Sequence, residues 1–296
     1  MSASTFERLL AAGRPVVIDG GLATQLESQG CDLNNPLWSA SLLLSEPQEI
    51  VAAHRAYLDA GAQIIISASY QAVDEELIAA ATGLALQARD EFVAANPTAF
   101  APLVAASVGP YGAVLSDGSE YTGNYDKSRD ELVEFHRARV VQLDTSQADV
   151  LACETIPSMD EASALAELLG DVSTPAWVSF SCRDGKHISD GTPIEAAAKL
   201  FSEHSTVRAV GVNCTSPQYM LSLIERIKHA VPNMPVLVYP NSGESFNADS
   251  KTWSGTTSAA DWERVAKEWT SAGANIIGGC CRTGPEHIAA LGRGRS

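Results

Sequence analysis

Eight short apolar runs recur along this chain, each followed in turn by a stretch with helical patterning. The runs cover residues 16–19, 63–67, 103–107, 150–153, 176–180, 209–212, 236–239 and 275–277. They are nearly continuous in apolar residues, as parallel strands are when both faces are buried. The helical patterns fall at about 47–60, 74–95, 128–147, 158–169, 193–203, 217–230, 259–272 and 285–291. Ser45-Glu46-Pro47-Gln48 reads as a helix start, with a capping serine and a proline in the first turn. Asp59-Ala60-Gly61-Ala62 and Ser271-Ala272-Gly273-Ala274 share one form: helix end, glycine C-cap, next strand. Eight such units in 296 residues predict an α/β fold, a (β/α)8 TIM barrel, with residues 1–296 as a single domain. The competing architecture is a doubly wound open sheet. The count of eight favours the barrel, as does the lack of a Gly-x-Gly-x-x-Gly loop after any strand.

Three long stretches, 29–44, 109–127 and 241–258, read as irregular. Long strand-to-helix loops are where barrels build their sites, so the ends of the strands are where chemistry is sought. They read Asp19-Gly20-Gly21, Ser67-Ala68-Ser69-Tyr70-Gln71, Ser107-Val108-Gly109-Pro110-Tyr111, Cys153-Glu154-Thr155, Ser179-Phe180-Ser181, Asn213-Cys214, Tyr239-Pro240-Asn241-Ser242-Gly243 and Gly278-Gly279-Cys280-Cys281.

Adjacent cysteines cannot easily bridge each other, and in a regular strand they point to opposite faces. Aiming Cys280 and Cys281 at one point needs irregular backbone, which Gly278 and Gly279 permit. Cys214, two units earlier, supplies a third thiolate. Three thiolates and no obvious fourth protein ligand suit a zinc ion with an open position. The bland alternative is three buried structural cysteines. Such an electron-rich site favours keeping a bound sulfur nucleophilic over activating water. Cys31, Cys153 and Cys182 are weaker candidates, and the histidines read as surface residues. Asp19 and Glu154 fit three roles: binding an ammonium, acting as acid and base, or making structural hydrogen bonds. Alkylation of a thiolate needs no general base, so ammonium binding is favoured. Gly20 and Gly21 offer backbone N–H groups to a carboxylate. Amine, carboxylate and thiol together describe an amino-acid thiol.

The formal charge of −16 argues against a nucleic-acid partner, which needs a basic face. No apolar run approaches the roughly 18 residues of a membrane helix. Residues 1–10 lack a signal-peptide core, so a cytoplasmic protein is expected, with its six cysteines as thiols.

Taken together, Asp19-Gly20-Gly21-Leu22-Ala23-Thr24, Ala68-Ser69-Tyr70-Gln71-Ala72, Ser107-Val108-Gly109-Pro110-Tyr111-Gly112, Ala152-Cys153-Glu154-Thr155, Gly211-Val212-Asn213-Cys214, Tyr239-Pro240-Asn241-Ser242-Gly243-Glu244 and Gly278-Gly279-Cys280-Cys281-Arg282-Thr283 resemble the homocysteine S-methyltransferases. The resemblance spans almost the whole chain. It implies a (β/α)8 barrel, zinc held by Cys214, Cys280 and Cys281, and Asp19 and Glu154 on the homocysteine amine. Ser67 and Ser69 occupy positions where relatives turn hydroxyls toward the substrate. Gly20, Asn213, Tyr239 and Asn241 complete the expected substrate-binding set. Thr155 stands where the betaine-using branch has a tyrosine, so the resemblance implies S-methyl-L-methionine as methyl donor, with S-adenosylmethionine second. Tyr239, Tyr70 or Trp38 can face the sulfonium, packing being the favoured role for Trp38. Alternative readings are methylation of selenocysteine or another thiol at the same site, a metal-free barrel enzyme using Asp19 and Glu154 as acid and base, and a zinc sensor without turnover. The expected partners are small molecules, homocysteine and S-methylmethionine, with no nucleic acid or membrane; the chain is expected to be a monomer or homodimer.

Overall fold

The computed structural model describes residues 4–33, 38–98, 100–243, 245–247, 252–254 and 259–295. The strands are β1 Val16–Val17, β2 Ile64–Ile66, β3 Leu103–Val108, β4 Val150–Ile156, β5 Ala176–Phe180, β6 Val207–Asn213 and β7 Val236–Tyr239, then a small hairpin of β8 Ser245–Asn247 and β9 Thr252–Ser254, and finally β10 Ala274–Ile277. Eight of them form one sheet in the order β1-β10-β7-β6-β5-β4-β3-β2, every neighbour parallel. A parallel bridge between Ile18 and Ile64 joins β1 to β2, and Asp19 N donates to Ile64 O at 3.1 Å. The ring closes there, as the eightfold alternation predicts.

Alternation along each strand divides the core in two. Val16, Ile18, Ile64, Leu103, Ala105, Val150, Ala152, Trp177, Leu237 and Ile276 pack together in the lumen. Val17, Ile65, Val104, Leu151, Cys153, Val178, Val210, Val238 and Ile277 face the surrounding helices. Cys153 therefore points away from the lumen, as its place beside Glu154 predicts.

An unanticipated helix, Thr5–Leu10, shuts the lower end of the barrel. Ser4 and Glu7 form its capping box, with Ser4 Oγ accepting from Glu7 N at 3.2 Å. Phe6 and Leu9 join the lumen cluster, and Phe6 meets Trp177 with ring centroids 5.9 Å apart. Burying two such side chains contributes about 2 kcal/mol each. Glu7 pairs with Arg208 at the start of β6, at 2.5 Å.

The long stretches are less irregular than their sequence suggests. The first contains the helix Trp38–Ser45. The second holds the helix Tyr111–Leu115 and the 3-10 turn Ser119–Tyr121, and the third holds the hairpin. Leu42 and Leu43 are buried against Leu26 and Ile50, a tertiary contact that an all-apolar short segment does not announce. The helix after residue 46 has Glu46, rather than Ser45, as its N-cap. Glu244 and the Trp38 side chain lie outside the described residues. Among the described residues, no helix is long and apolar enough to cross a membrane.

Candidate active site

The upper ends of the strands enclose a cavity of about 350 Å³. Asp19, Gly20, Ser67, Tyr70, Glu154, Thr155 and Tyr239 line it, together with Cys214, Cys280 and Cys281. Cys214 follows β6, the doublet follows β10, and the end of β7 runs between them. Cys214 N donates to Tyr239 O at 3.3 Å and Cys280 N to Pro240 O at 2.8 Å.

The three sulfurs lie within 4.8 Å of one another. Tetrahedral zinc, with Zn–S near 2.3 Å, sets its sulfurs about 3.8 Å apart. With all three cysteines reduced, the cluster fits a three-thiolate metal site. Cys214 and Cys280 are joined as a disulfide, with Cα atoms 5.6 Å apart. This departs from the expectation of six thiols; Cys31, Cys153, Cys182 and Cys281 are free. Only residues already converging on one point can be paired so far apart in sequence, 66 residues.

The backbone irregularity is also placed differently. Cys214 (φ 45°) and Arg282 (φ 64°) occupy the left-handed region, whereas Gly278 and Gly279 do not. Those glycines serve close approach instead: a Cβ on Gly279 would sit 2.2 Å from Thr283 Oγ1. Three bonds fasten the turn. Arg282 N donates to Thr24 Oγ1 at 2.9 Å, Thr283 Oγ1 to Cys280 O at 2.6 Å, and Gly21 N to Thr283 O at 3.0 Å. Tyr57 Oη lies 2.8 Å from Gly21 O and 2.9 Å from Thr283 O, tying both segments together. With the Gly21 N–H engaged, Gly20 is the member of the pair left to meet a carboxylate.

Asp19 and Glu154 are 4% and 8% exposed, too buried for bare anions. Asp19 Oδ2 accepts from Ile66 N at 2.7 Å, while Oδ1 is buried without a donor among the described residues. Burial pushes the Asp19 carboxyl well above the usual carboxylate range, and the nearby Glu154 charge adds to the rise. Burial pushes Glu154 up to about 7, against hydrogen bonds from Ser107 and Tyr239. Two buried carboxyls with acceptor capacity to spare call for a cation with N–H donors.

Serines support Glu154 from behind. Ser107 Oγ donates to Glu154 Oε1 at 2.5 Å, and Ser107 N donates to Ser67 Oγ at 3.1 Å. Ser69 is fully buried and gives its proton to Ser107 O at 2.8 Å, so the 2.8 Å contact between the two hydroxyls runs from Ser67 to Ser69. Tyr239 Oη is 2.6 Å from Ser179 Oγ and accepts from Trp177 Nε1 at 3.2 Å. The Asn213 carboxamide is occupied within the protein, on Thr155 and Ser179. Asn241 Oδ1 is buried without a partner among the described residues.

Two histidines overturn their reading as surface residues: His54 and His136 are fully buried. Both lie on helices whose apolar stripe includes them. His136 Nε2 is 2.8 Å from Glu161 Oε1, and Tyr125 also bonds Glu161. Sequence reasoning also missed Tyr121, Thr24 and Arg282, which line the cavity. Tyr121 lies in the long loop 109–127, whose length was the available signal.

Fold and site together define a TIM-barrel enzyme whose mouth gathers three cysteines and two buried carboxyls. The family model described as homocysteine S-methyltransferase matches residues 16–293. A Bacillus subtilis relative, homocysteine S-methyltransferase YbgG, is 47% identical over 290 residues, covering 92% of each chain. The solved homocysteine methyltransferase MmuM from Escherichia coli, in its metallated form, superposes with a TM-score of 0.88 at 41% identity, covering 98% of this chain and 99% of that one. Its oxidized form gives 0.87 at 42% identity, with 96% and 97% coverage. The chain belongs to the homocysteine S-methyltransferase family. Its activity is that of a homocysteine methyltransferase.

Proposed function

We propose that the enzyme transfers a methyl group from S-methyl-L-methionine to the thiol of L-homocysteine, giving two molecules of methionine, with zinc held by Cys214, Cys280 and Cys281. One observation carries this reading: three converging sulfurs share a cavity with the buried pair Asp19 and Glu154. A zinc ion bound by those cysteines would lower the pKa of a substrate thiol enough to keep it ionised near neutral pH. The metallated relative in E. coli supports a metal here.

The remaining work falls to the chain. Asp19 Oδ1 and Glu154 accept the homocysteine ammonium, and its charge draws both carboxyls into the ionised form. Gly20 meets the carboxylate. The thiol, held at that end of the cavity, loses its proton to solvent. Its sulfur then attacks the donor's methyl carbon in line. A new carbon–sulfur bond forms as the sulfonium bond breaks, and that electron pair stays on the departing methionine sulfur. A thiolate and a sulfonium cancel in the process. A buried cavity, which solvates separated charges poorly, therefore favours the transition state, and fixed orientation adds to the rate. Tyr70 and Tyr239 line the cavity, and an aromatic ring is suited to a sulfonium. Thr155 lacks the ring that the betaine-using branch carries at its position. We place the protein in the cytoplasm, where thiols stay reduced.

The test is a methionine assay on reduced protein, with homocysteine and S-methylmethionine, S-adenosylmethionine or betaine as donor, and metal measured on the same sample. The expected result is turnover with the sulfoniums, none with betaine, and about one zinc per chain. Turnover with betaine alone would reject the donor. Full activity in a metal-free C280S/C281S double variant would reject the metal.

A further inference from the structure

The cavity carries charged groups at two depths. Asp19 and Glu154 are its buried pair, 4% and 8% exposed. Glu27 and Arg282 line the same cavity, yet their side chains are 51% and 34% exposed. Arg282 follows Cys281 directly, in the turn that carries two of the three sulfurs. Glu27 lies on the helix Leu22–Gln29, and Thr24 of that helix accepts from Arg282 N at 2.9 Å. Arg282 Nη1 donates to Glu27 Oε2 at 3.2 Å. A positive and a negative group thus stand side by side on the cavity wall, within reach of a ligand. The reaction as written above uses neither.

A cation and an anion in contact match the head of an amino acid, whose carboxylate and ammonium are neighbours in the same way. A guanidinium takes a carboxylate through its fork of N–H donors, and a carboxylate takes an ammonium through that group's N–H bonds. An exposed ion pair contributes little to stability, so a ligand that engages both partners gives up little by loosening it. Asp19 and Glu154 already account for one ammonium, and the proposed reaction brings two amino acids into one cavity. Arg282 also repels a bare sulfonium at close range. A donor that brings its own carboxylate cancels that repulsion.

We propose that Arg282 and Glu27 form a two-point clamp for the zwitterionic head of the methyl donor, Arg282 on its α-carboxylate and Glu27 on its α-ammonium. The assignment rests on the sulfonium-donor reading above. The more exposed pair suits the second substrate, since the buried pair is given to homocysteine. In S-methylmethionine a short methylene chain joins the head to the sulfonium. Because Arg282 adjoins Cys281, a head held by the clamp keeps the sulfonium methyl close to the sulfurs.

The test compares the reduced, zinc-loaded wild type with Glu27→Gln and Arg282→Gln at saturating homocysteine, using two donors. S-methylmethionine carries both head groups; dimethylsulfonioacetate carries a carboxylate and no ammonium. The readout is the ratio of kcat/KM for the two donors. Where dimethylsulfonioacetate is not turned over, its Ki as a competitor replaces its kcat/KM. Glu27→Gln should cut the preference for S-methylmethionine by about tenfold, through the donor KM, with the homocysteine KM unchanged. Arg282→Gln should weaken both donors alike and leave the ratio where it was. Glu27→Gln decides by itself, because it leaves the cysteine turn's sequence intact. An unchanged ratio in that variant, or a rise in the homocysteine KM in place of the donor's, overturns the assignment and makes the ion pair a brace between helix and turn. If the wild type turns over neither S-methylmethionine nor S-adenosylmethionine, the donor reading falls, and this proposal with it.

Discussion

The carboxamide of Asn213 grips Thr155 at two points. Its Oδ1 accepts from Thr155 N and its Nδ2 donates to Thr155 Oγ1, both at 2.7 Å. Thr155 needs the grip, because it sits at φ 61°, a left-handed conformation that β-branched residues rarely adopt. Each of the two residues adjoins a site group: Glu154 precedes Thr155, and Cys214 follows Asn213. Asn213→Ala strands the buried Thr155 N–H and releases the strained turn. It should cost about 2–4 kcal/mol of stability and raise the homocysteine KM severalfold. Denaturant unfolding and steady-state kinetics check both, and an unchanged KM would mean that the turn does not position Glu154.

Methionine is a probe of the proposed ammonium site that has no titrating thiol. Unliganded Glu154 titrates at about 7, and an ammonium favours its ionised form. As pH falls from 8 to 6 the carboxyl takes up a proton that binding must expel, so methionine affinity should drop by up to roughly tenfold per unit. Asp19, also raised, steepens the fall. Glu154→Gln should bind methionine weakly at every pH and show a shallower slope, as read by calorimetry.

A different carboxyl governs stability. Burial raises Glu161 to about 8 and lowers His136 well below its usual range, so the pair is held neutral. A carboxyl raised on folding binds more protons in the folded state. Its contribution is complete below the unfolded value of about 4.5 and is lost as pH rises through about 8. The stability of the wild type relative to Glu161→Gln should therefore decline over that window, by an amount on the order of a few kcal/mol. Paired melting curves from pH 5 to 9 give the slope; parallel curves would contradict it.

Gly21→Ala tests the anchoring of the doublet without touching a ligand. Its Cβ would lie 2.5 Å from Cys280 O and 2.8 Å from Thr24 Oγ1. The 280–283 turn must shift, at a cost of about 1–3 kcal/mol. The expected outcome is a folded barrel by circular dichroism that retains less than about half of the wild-type zinc.

The barrel was legible because buried parallel strands leave continuous apolar runs, and all eight fall within a few residues of the predicted positions. The cysteines and carboxyls were legible because strand ends converge in such a fold. Which side chains are spent on each other was not legible. Asn213 reads like a substrate contact until its partners Thr155 and Ser179 are seen, and Ser69 reads like one until it is found behind Ser67. The Asn213 pairings join residues 58 and 34 positions apart, and no local pattern encodes them. The left-handed turn at Cys214 was hidden for the same reason, since cysteine carries no turn signal.

The helix that seats Phe6 and Leu9 against the base of the lumen blocks entry from below, so small molecules reach the site from the strand-end mouth. On the proposed reaction, two amino acids must enter through it and two must leave. A donor bound at the mouth in that reaction would stand over the buried carboxyls Asp19 and Glu154. Homocysteine should therefore go in first, with a donor that arrives early blocking the way. Turnover should follow a compulsory order, with the donor inhibiting its own reaction when homocysteine is scarce.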